Sequence, residues 1–231
     1  MNTTEDIVAT LQQLGTAERA AKALSNFPTS MKVLGVKNPD LKLVVKELHG
    51  IMRREPREAF LELAHALINA RIIECQMLAW LLLEKARIVP SLTKQEAIQL
   101  QGTLDNWVSV DTYGTVIYGI LWRLGTITDM DVRKLQQEEV MWHRRLALVG
   151  TVALNLASRG GTGDSRRTIE VCTRAVSDRH DLIVKAVSWS LRSLIRWDRK
   201  AVEQFLEVHH DRLPNRVHRE VGHKLEFGTK N

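Results

Sequence analysis

The sequence predicts an all-α protein, a curved superhelical solenoid of HEAT-like helical repeats. Three observations carry the all-α part of that prediction; short loops between the helices allow either a bundle or a stack of pairs, and a 40-residue repeat favours the stack. Apolar residues recur at helical spacing along nearly the whole chain. Only five prolines and thirteen glycines interrupt the pattern, most of them between periodic stretches. No stretch sustains period-two alternation, so no sheet is expected.

In order along the chain, helices are expected near 4–14, 17–25, 39–53, 56–68, 70–87, 93–103, 105–123, 129–138, 140–158, 165–176, 179–197, 199–208 and 214–224. Several starts have a physical reason. Pro39-Asp40, Pro56-Arg57 and Pro214-Asn215 place proline near a first helical turn, where its missing N–H costs nothing. Thr93 followed by Glu96 is a capping-box pattern. Asp105 and Asp198 are placed to cap the helices that follow them. The stretch from His143 to Leu148 is similar to Val184-Lys185-Ala186-Val187 and its flanks. Each puts a cation at the head of an apolar run, and Arg145 and Lys185 are 40 residues apart. That period suits stacked helix pairs with an extended concave face.

Charge is distributed unevenly. The 231 residues carry 33 Lys and Arg against 27 Asp and Glu, a net charge of +6. Residues 1–115 hold 13 of each sign, so the whole excess lies in 116–231, with 20 basic and 14 acidic side chains. Between 141 and 200 the count is 12 basic to 5 acidic, and ten of the twelve are Arg. This asymmetry points either to a polyanion, nucleic acid first, or to a solvated Arg-rich surface.

Other classes find little support. Two cysteines, Cys75 and Cys172, allow neither a disulfide framework nor a four-cysteine zinc site. His143 and the His209-His210 pair lack partners at metal-ligand spacing, so no metal is expected. The N-terminus has early acids and no signal-peptide core. The longest apolar run, Met77 to Leu83, is far short of the ~18 residues that span a bilayer. A cytoplasmic protein is expected, with no membrane partner. The Gly160–Gly163 stretch lacks the Lys and preceding strand of a phosphate loop, and reads as a turn.

Three helices carry candidate chemistry. On 179–197, Ile183, Ala186, Val187, Leu191 and Leu194 share a core face. Lys185, Trp189, Arg192 and Arg196 share a second one, suited either to a nucleotide with its phosphates or to packing against the neighbouring repeat. On 105–123, Trp107 and Asp111 are neighbours at i and i+4. A carboxylate beside an indole acts strongly on a developing cation, although a lone Asp is more often explained by an ion pair with an Arg on the next helix. On 140–158, Trp142, Leu146, Val149 and Ala153 form the expected core stripe. Arg145 lies beside that stripe, either reaching the concave face or making a structural salt bridge.

Together these residues resemble the DNA alkylation repair family, the AlkD-like HEAT-repeat DNA glycosylases. Lys32-Val33-Leu34-Gly35-Val36 followed by Pro39 looks like the family's N-terminal element. Trp107-Val108-Ser109-Val110-Asp111 resembles its W-[DV]-x-V-D motif. Trp142-His143-Arg144-Arg145-Leu146-Ala147 is similar to its W-[VLH]-x-R-x-A motif. Lys185-Ala186-Val187-Ser188-Trp189-Ser190-Leu191-Arg192 looks like its K-A-[IV]-[GS]-W-x-L-R motif. The order and spacing of these motifs are family-like.

The resemblance implies one repeat domain over 1–231 with a concave DNA-binding face. It implies a monofunctional glycosylase that hydrolyses the N-glycosidic bond of cationic N3- or N7-alkylated purines in duplex DNA, without flipping the base and without a cofactor. Asp111 would be the catalytic carboxylate. Trp107 and Trp189 would contact the lesion, and Arg145 the DNA backbone, helped by Lys185, Arg192 and Arg196. The partner would be alkylated double-stranded DNA and the protein a cytoplasmic monomer, nucleoid-associated in a bacterium. The alternative is a non-catalytic repeat module that binds nucleic acid or acts as a scaffold. One departure concerns a Tyr that the family can carry near its N-terminus. Residues 16–31 contain none, and the aromatic there, Phe27, is not counted in the expected site.

Overall fold

The computed structural model describes residues 3–229. Among them the fold is all-α, with helices joined by short turns and one isolated parallel bridge between Lys32 and Ile72. The first seven helices are α1 (Thr4–Leu14), α2 (Ala17–Asn26), α3 (Asn38–Met52), α4 (Arg57–Asn69), α5 (Ile73–Lys85), α6 (Lys94–Gln99) and α7 (Trp107–Tyr113). They are followed by α8 (Gly119–Leu124), α9 (Asp129–Gln137), α10 (Met141–Asn155), α11 (Ser165–Arg174), α12 (Asp181–Leu194), α13 (Arg199–Val208) and α14 (Asn215–Phe227). The chain divides into two compact units, one ending at Ile117 and the other starting at Tyr118.

Caps set many of these bounds. Thr93 and Glu96 form a reciprocal capping box on α6, and Asp198 accepts a hydrogen bond from Ala201 N at the head of α13. Pro39 lies in the first turn of α3, while Pro56 and Pro214 are the capping residues of α4 and α14.

The helix expected over 105–123 differs most. Its cap is Asn106, whose side chain accepts from Ser109 N, not Asp105. A π-helical turn, Gly114–Tyr118, then separates α7 from α8. The hydroxyls of Thr112 and Thr115 donate to the carbonyls of Val108 and Asp111, competing with the regular helical ladder where it widens.

In the first unit α5 is the central helix. It packs on α3, α4 and α7, and is buried almost all round, including Glu74 and Gln76. In the second unit helices alternate between two layers. One contains α8, α10, α12 and α14; the other contains α9, α11 and α13. The 40-residue spacing of Arg145 and Lys185 is the spacing of α10 and α12, which begin at Met141 and Asp181 and lie side by side. Neighbours on several sides bury α10 continuously from Arg145 to Asn155. The single core stripe expected for this helix therefore does not hold: Trp142 is half-buried and Arg145 buried.

A polar hub stitches the second unit. The Asn155 amide donates to Thr151 O and to the hydroxyls of Thr168 and Ser193, and its oxygen accepts from Asp164 N. Gly163 sits against the Trp197 ring at φ +87°, where a Cβ would approach Trp197 within 2.6 Å. The glycine run is a packed turn.

Candidate active site

In the first unit, α7 presents Trp107 and Asp111 one turn apart. Both line a pocket of 360 Å³ whose other walls include Phe27, Val33, Gly35, Lys37, Glu74 and Met77. Trp107 is 37% exposed, unlike the fully buried Trp80 and Trp122. Its indole Nε1 donates to Asn26 O over 3.3 Å, and its ring meets Phe27 edge to face. Asp111 is half-buried, and its backbone carbonyl accepts from the Thr115 hydroxyl.

Two loops and α5 shape this pocket. Glu74, 5% exposed, points its carboxylate at three successive backbone N–H groups, those of Leu34, Gly35 and Val36, at 2.7–3.3 Å. Gly35 takes φ +76°, which turns these groups toward one point, and a Cβ there would lie 2.5 Å from Ala20 N. Arg19 braces the same loop from α2, donating to Gly35 O and Leu14 O. Two residues beyond Glu74, the Gln76 amide donates to Thr103 O and the Ser109 hydroxyl and accepts from Thr103 N. Asp105 binds the Thr29 hydroxyl and Ser30 N, fixing the segment after Phe27. Burial works against ionisation of Asp105, but hydrogen bonds from Thr29, Ser30 and Asn106 outweigh it and hold the carboxyl below its usual range.

In the second unit, the expected cations are distributed over α10, α12 and the turn after α12. Arg145 is 4% exposed, and its guanidinium donates to Leu182 O in the first turn of α12. Lys185 is exposed and pairs with Asp181 at 2.7 Å. Arg192 is half-buried, donates to Ser188 O, and lies 3.6 Å from the buried Glu220 of α14. Burial pulls its guanidinium below its usual range, and Glu220 acts in the opposite direction. Arg216 joins this group, bridging Asp181 and Glu220. Arg196 is exposed and stands over the Trp197 ring, 5.3 Å from its centroid. Trp189 is half-buried among them on α12.

The arginine excess of this half has a second destination. Asp129 takes Arg166 and Arg167, Glu170 takes Arg133 and Arg174, and Asp178 takes Arg144. Five arginines are thus paired between α9, α10 and α11 and the turns that follow, while the excess of cations over acids remains.

Among the described residues no cluster of three or more His, Cys, Asp or Glu side chains is arranged to hold a metal, and no helix is long and apolar enough to cross a membrane. A sequence model of the DNA alkylation repair enzyme family matches residues 7–225. The chain belongs to that family. Its alkylation-repair membership gives it a role in DNA repair, with DNA as substrate. The fold agrees: a solved structure called "Predicted DNA alkylation repair enzyme from Enterococcus faecalis" is similar at a TM-score of 0.69 and 20% identity, over 90% of this chain and 95% of that one. No curated protein is significantly similar in sequence.

For this alkylation-repair family member, sequence reasoning named Trp107 and Asp111 and left out two pocket residues beside them, Phe27 and Glu74, and also Gln76, which bonds Ser109 on the same helix as Trp107 and Asp111. Phe27 has a visible signal, being the aromatic of the segment where the family can carry Tyr. Glu74 and Gln76 have none, because a Glu and a Gln in an apolar helix read as exposed polar positions.

Proposed function

We propose that the protein is a monofunctional DNA glycosylase that releases cationic N3- or N7-alkylated purines from duplex DNA, without flipping the base. The observation that supports this reading is the shared turn of α7, which places the Asp111 carboxylate and the exposed Trp107 on one pocket edge with Phe27.

An N3- or N7-alkylated purine carries positive charge and is already a good leaving group. Breaking its glycosidic bond develops positive charge on the deoxyribose. Asp111 stabilises that charge and orients the attacking water, which supplies the oxygen of the new C1′ hydroxyl. The electron-rich face of Trp107 favours the same cationic sugar, and Trp189 is assigned to the lesion by the family resemblance. Arg145, Lys185, Arg192 and Arg196 hold backbone phosphates and set register. No step calls on a metal or an organic cofactor. An enzyme that reads the lesion from the backbone side needs no tight base pocket, so bulky adducts are tolerated.

The test is release of free N7-methylguanine from methylated duplex DNA. Asp111→Asn abolishes release and leaves duplex binding nearly intact. Equal loss of release and binding would remove Asp111 from the chemistry.

A further inference from the structure

We propose that Glu74 and Gln76 are a pair of positioning residues that set the width of the pocket beside Asp111; the effect on catalysis rests on the glycosylase reading above. The two side chains leave the same turn of the central helix α5 and grip opposite walls. Glu74 holds the Leu34–Val36 loop by its three N–H groups. Gln76 holds Thr103 through both amide atoms and reaches Ser109 on α7 itself. The walls so fixed carry Val33 and Gly35 on one side and Trp107 and Asp111 on the other.

The chemistry of each side chain matches its task. A carboxylate is an acceptor on both oxygens, so it alone among side chains of this length can face three converging N–H groups. An amide donates and accepts, so it can close on a backbone segment in both directions. Both residues are buried, Gln76 completely. Loss of one polar partner would leave buried N–H groups unsatisfied and release the loop. Arg19 and the left-handed Gly35 oppose any compensating movement from the outer side of the loop. Neither Glu74 nor Gln76 needs to touch DNA: their effect passes through the loop and α7.

The experiment compares Glu74→Gln and Gln76→Leu with Leu67→Ala, a core truncation in the same unit away from both walls. Four quantities are measured on the whole chain: single-turnover release of N7-methylguanine per folded molecule, duplex affinity, the indole N–H NMR signal of Trp107, and hydrogen exchange at Leu34–Val36. The expected result for Glu74→Gln is a release rate about tenfold lower with affinity within about twofold. Its Trp107 signal shifts, and exchange at Leu34–Val36 accelerates. Glu74→Asp restores part of the rate. Leu67→Ala loses stability and keeps its rate per folded molecule. Release by Glu74→Gln and Gln76→Leu that matches Leu67→Ala would overturn the proposal. If the wild type releases no base, the glycosylase reading falls instead. The pair is then judged by the Trp107 signal and the exchange rates, and their invariance would overturn it.

Discussion

The ring of Phe27 meets the indole of Trp107 edge to face, with centroids 5.9 Å apart and planes at 83°. That geometry places the positive edge of one ring against the electron-rich face of the other, and is worth about 1 kcal/mol beyond the area it buries. Both rings line the pocket that contains Asp111. Phe27→Ala is expected to lower kcat/KM for N7-methylguanine release by about fivefold or more. Phe27→Tyr, which keeps the ring contact, retains most of the activity. Steady-state excision kinetics on the two variants check this.

Lys185 and Arg145 should separate in salt dependence and stability. The Lys185–Asp181 pair is exposed and one turn apart on α12, an arrangement worth a few tenths of a kcal/mol. Lys185→Gln therefore leaves Tm unchanged and lowers the slope of log K against log salt by about one. Arg145→Gln lowers that slope too, and also lowers Tm, because the Leu182 carbonyl loses its buried donor. Fluorescence anisotropy on duplex DNA across a salt series, with thermal melts, distinguishes the two.

Arg192→Met tests the Arg192–Glu220 contact. It leaves a buried carboxylate with Ser188 and Arg216 among its remaining partners. The expected cost is about 2 kcal/mol, less than for a carboxylate stripped of every partner. Replacing Glu220 by Leu in the same variant should restore most of that loss. Urea unfolding of the single and double variants measures it.

Acid stability depends in part on Glu96. The Arg57 guanidinium, 2.7 Å away, and the Thr93 backbone hold its carboxyl down to about 2. A carboxyl lowered on folding stabilises the native state above its unfolded value, and that contribution fades as pH falls through the folded one. The wild type thus loses this share of its stability between about pH 4.5 and pH 2. Glu96→Gln should be less stable at pH 7 and lose less across that window. Thermal melts of both proteins from pH 7 to pH 2 provide the comparison.

The helices were legible because their signals are local. Proline near α3, α4 and α14, the Thr93–Glu96 box and the apolar periodicity all act within a few residues. The start of α7 was not, because Asp105 is engaged by Thr29 and Ser30, 75–76 residues away, and Asn106 takes over the cap. Arg145, which the sequence leaves between a concave face and a structural contact, is buried and donates to Leu182 O for a similar reason. A helix with neighbours on several sides has no single polar face, and pattern alone cannot count neighbours.

The candidate site shows the same division. Trp107 and Asp111 are paired by helical spacing, so the sequence exposes their relation. Glu74 and Gly35 are 39 residues apart, and their relation depends on a loop folding back onto α5. The arginine count gave a net charge but not its partners. Only the packing of α9, α10 and α11 reveals how many of those cations are already neutralised.

The two thiols lie far inside the protein. Cys75 and Cys172 are fully buried, and burial pushes each up to about 12. At neutral pH almost none of either thiol is ionised, and the thiolate is the form that attacks electrophiles. Methylating agents that damage DNA are electrophiles of that kind. In a member of an alkylation-repair family, both sulfhydryls are thereby held protonated and away from solvent, the form and the place in which a thiol reacts slowly with such agents.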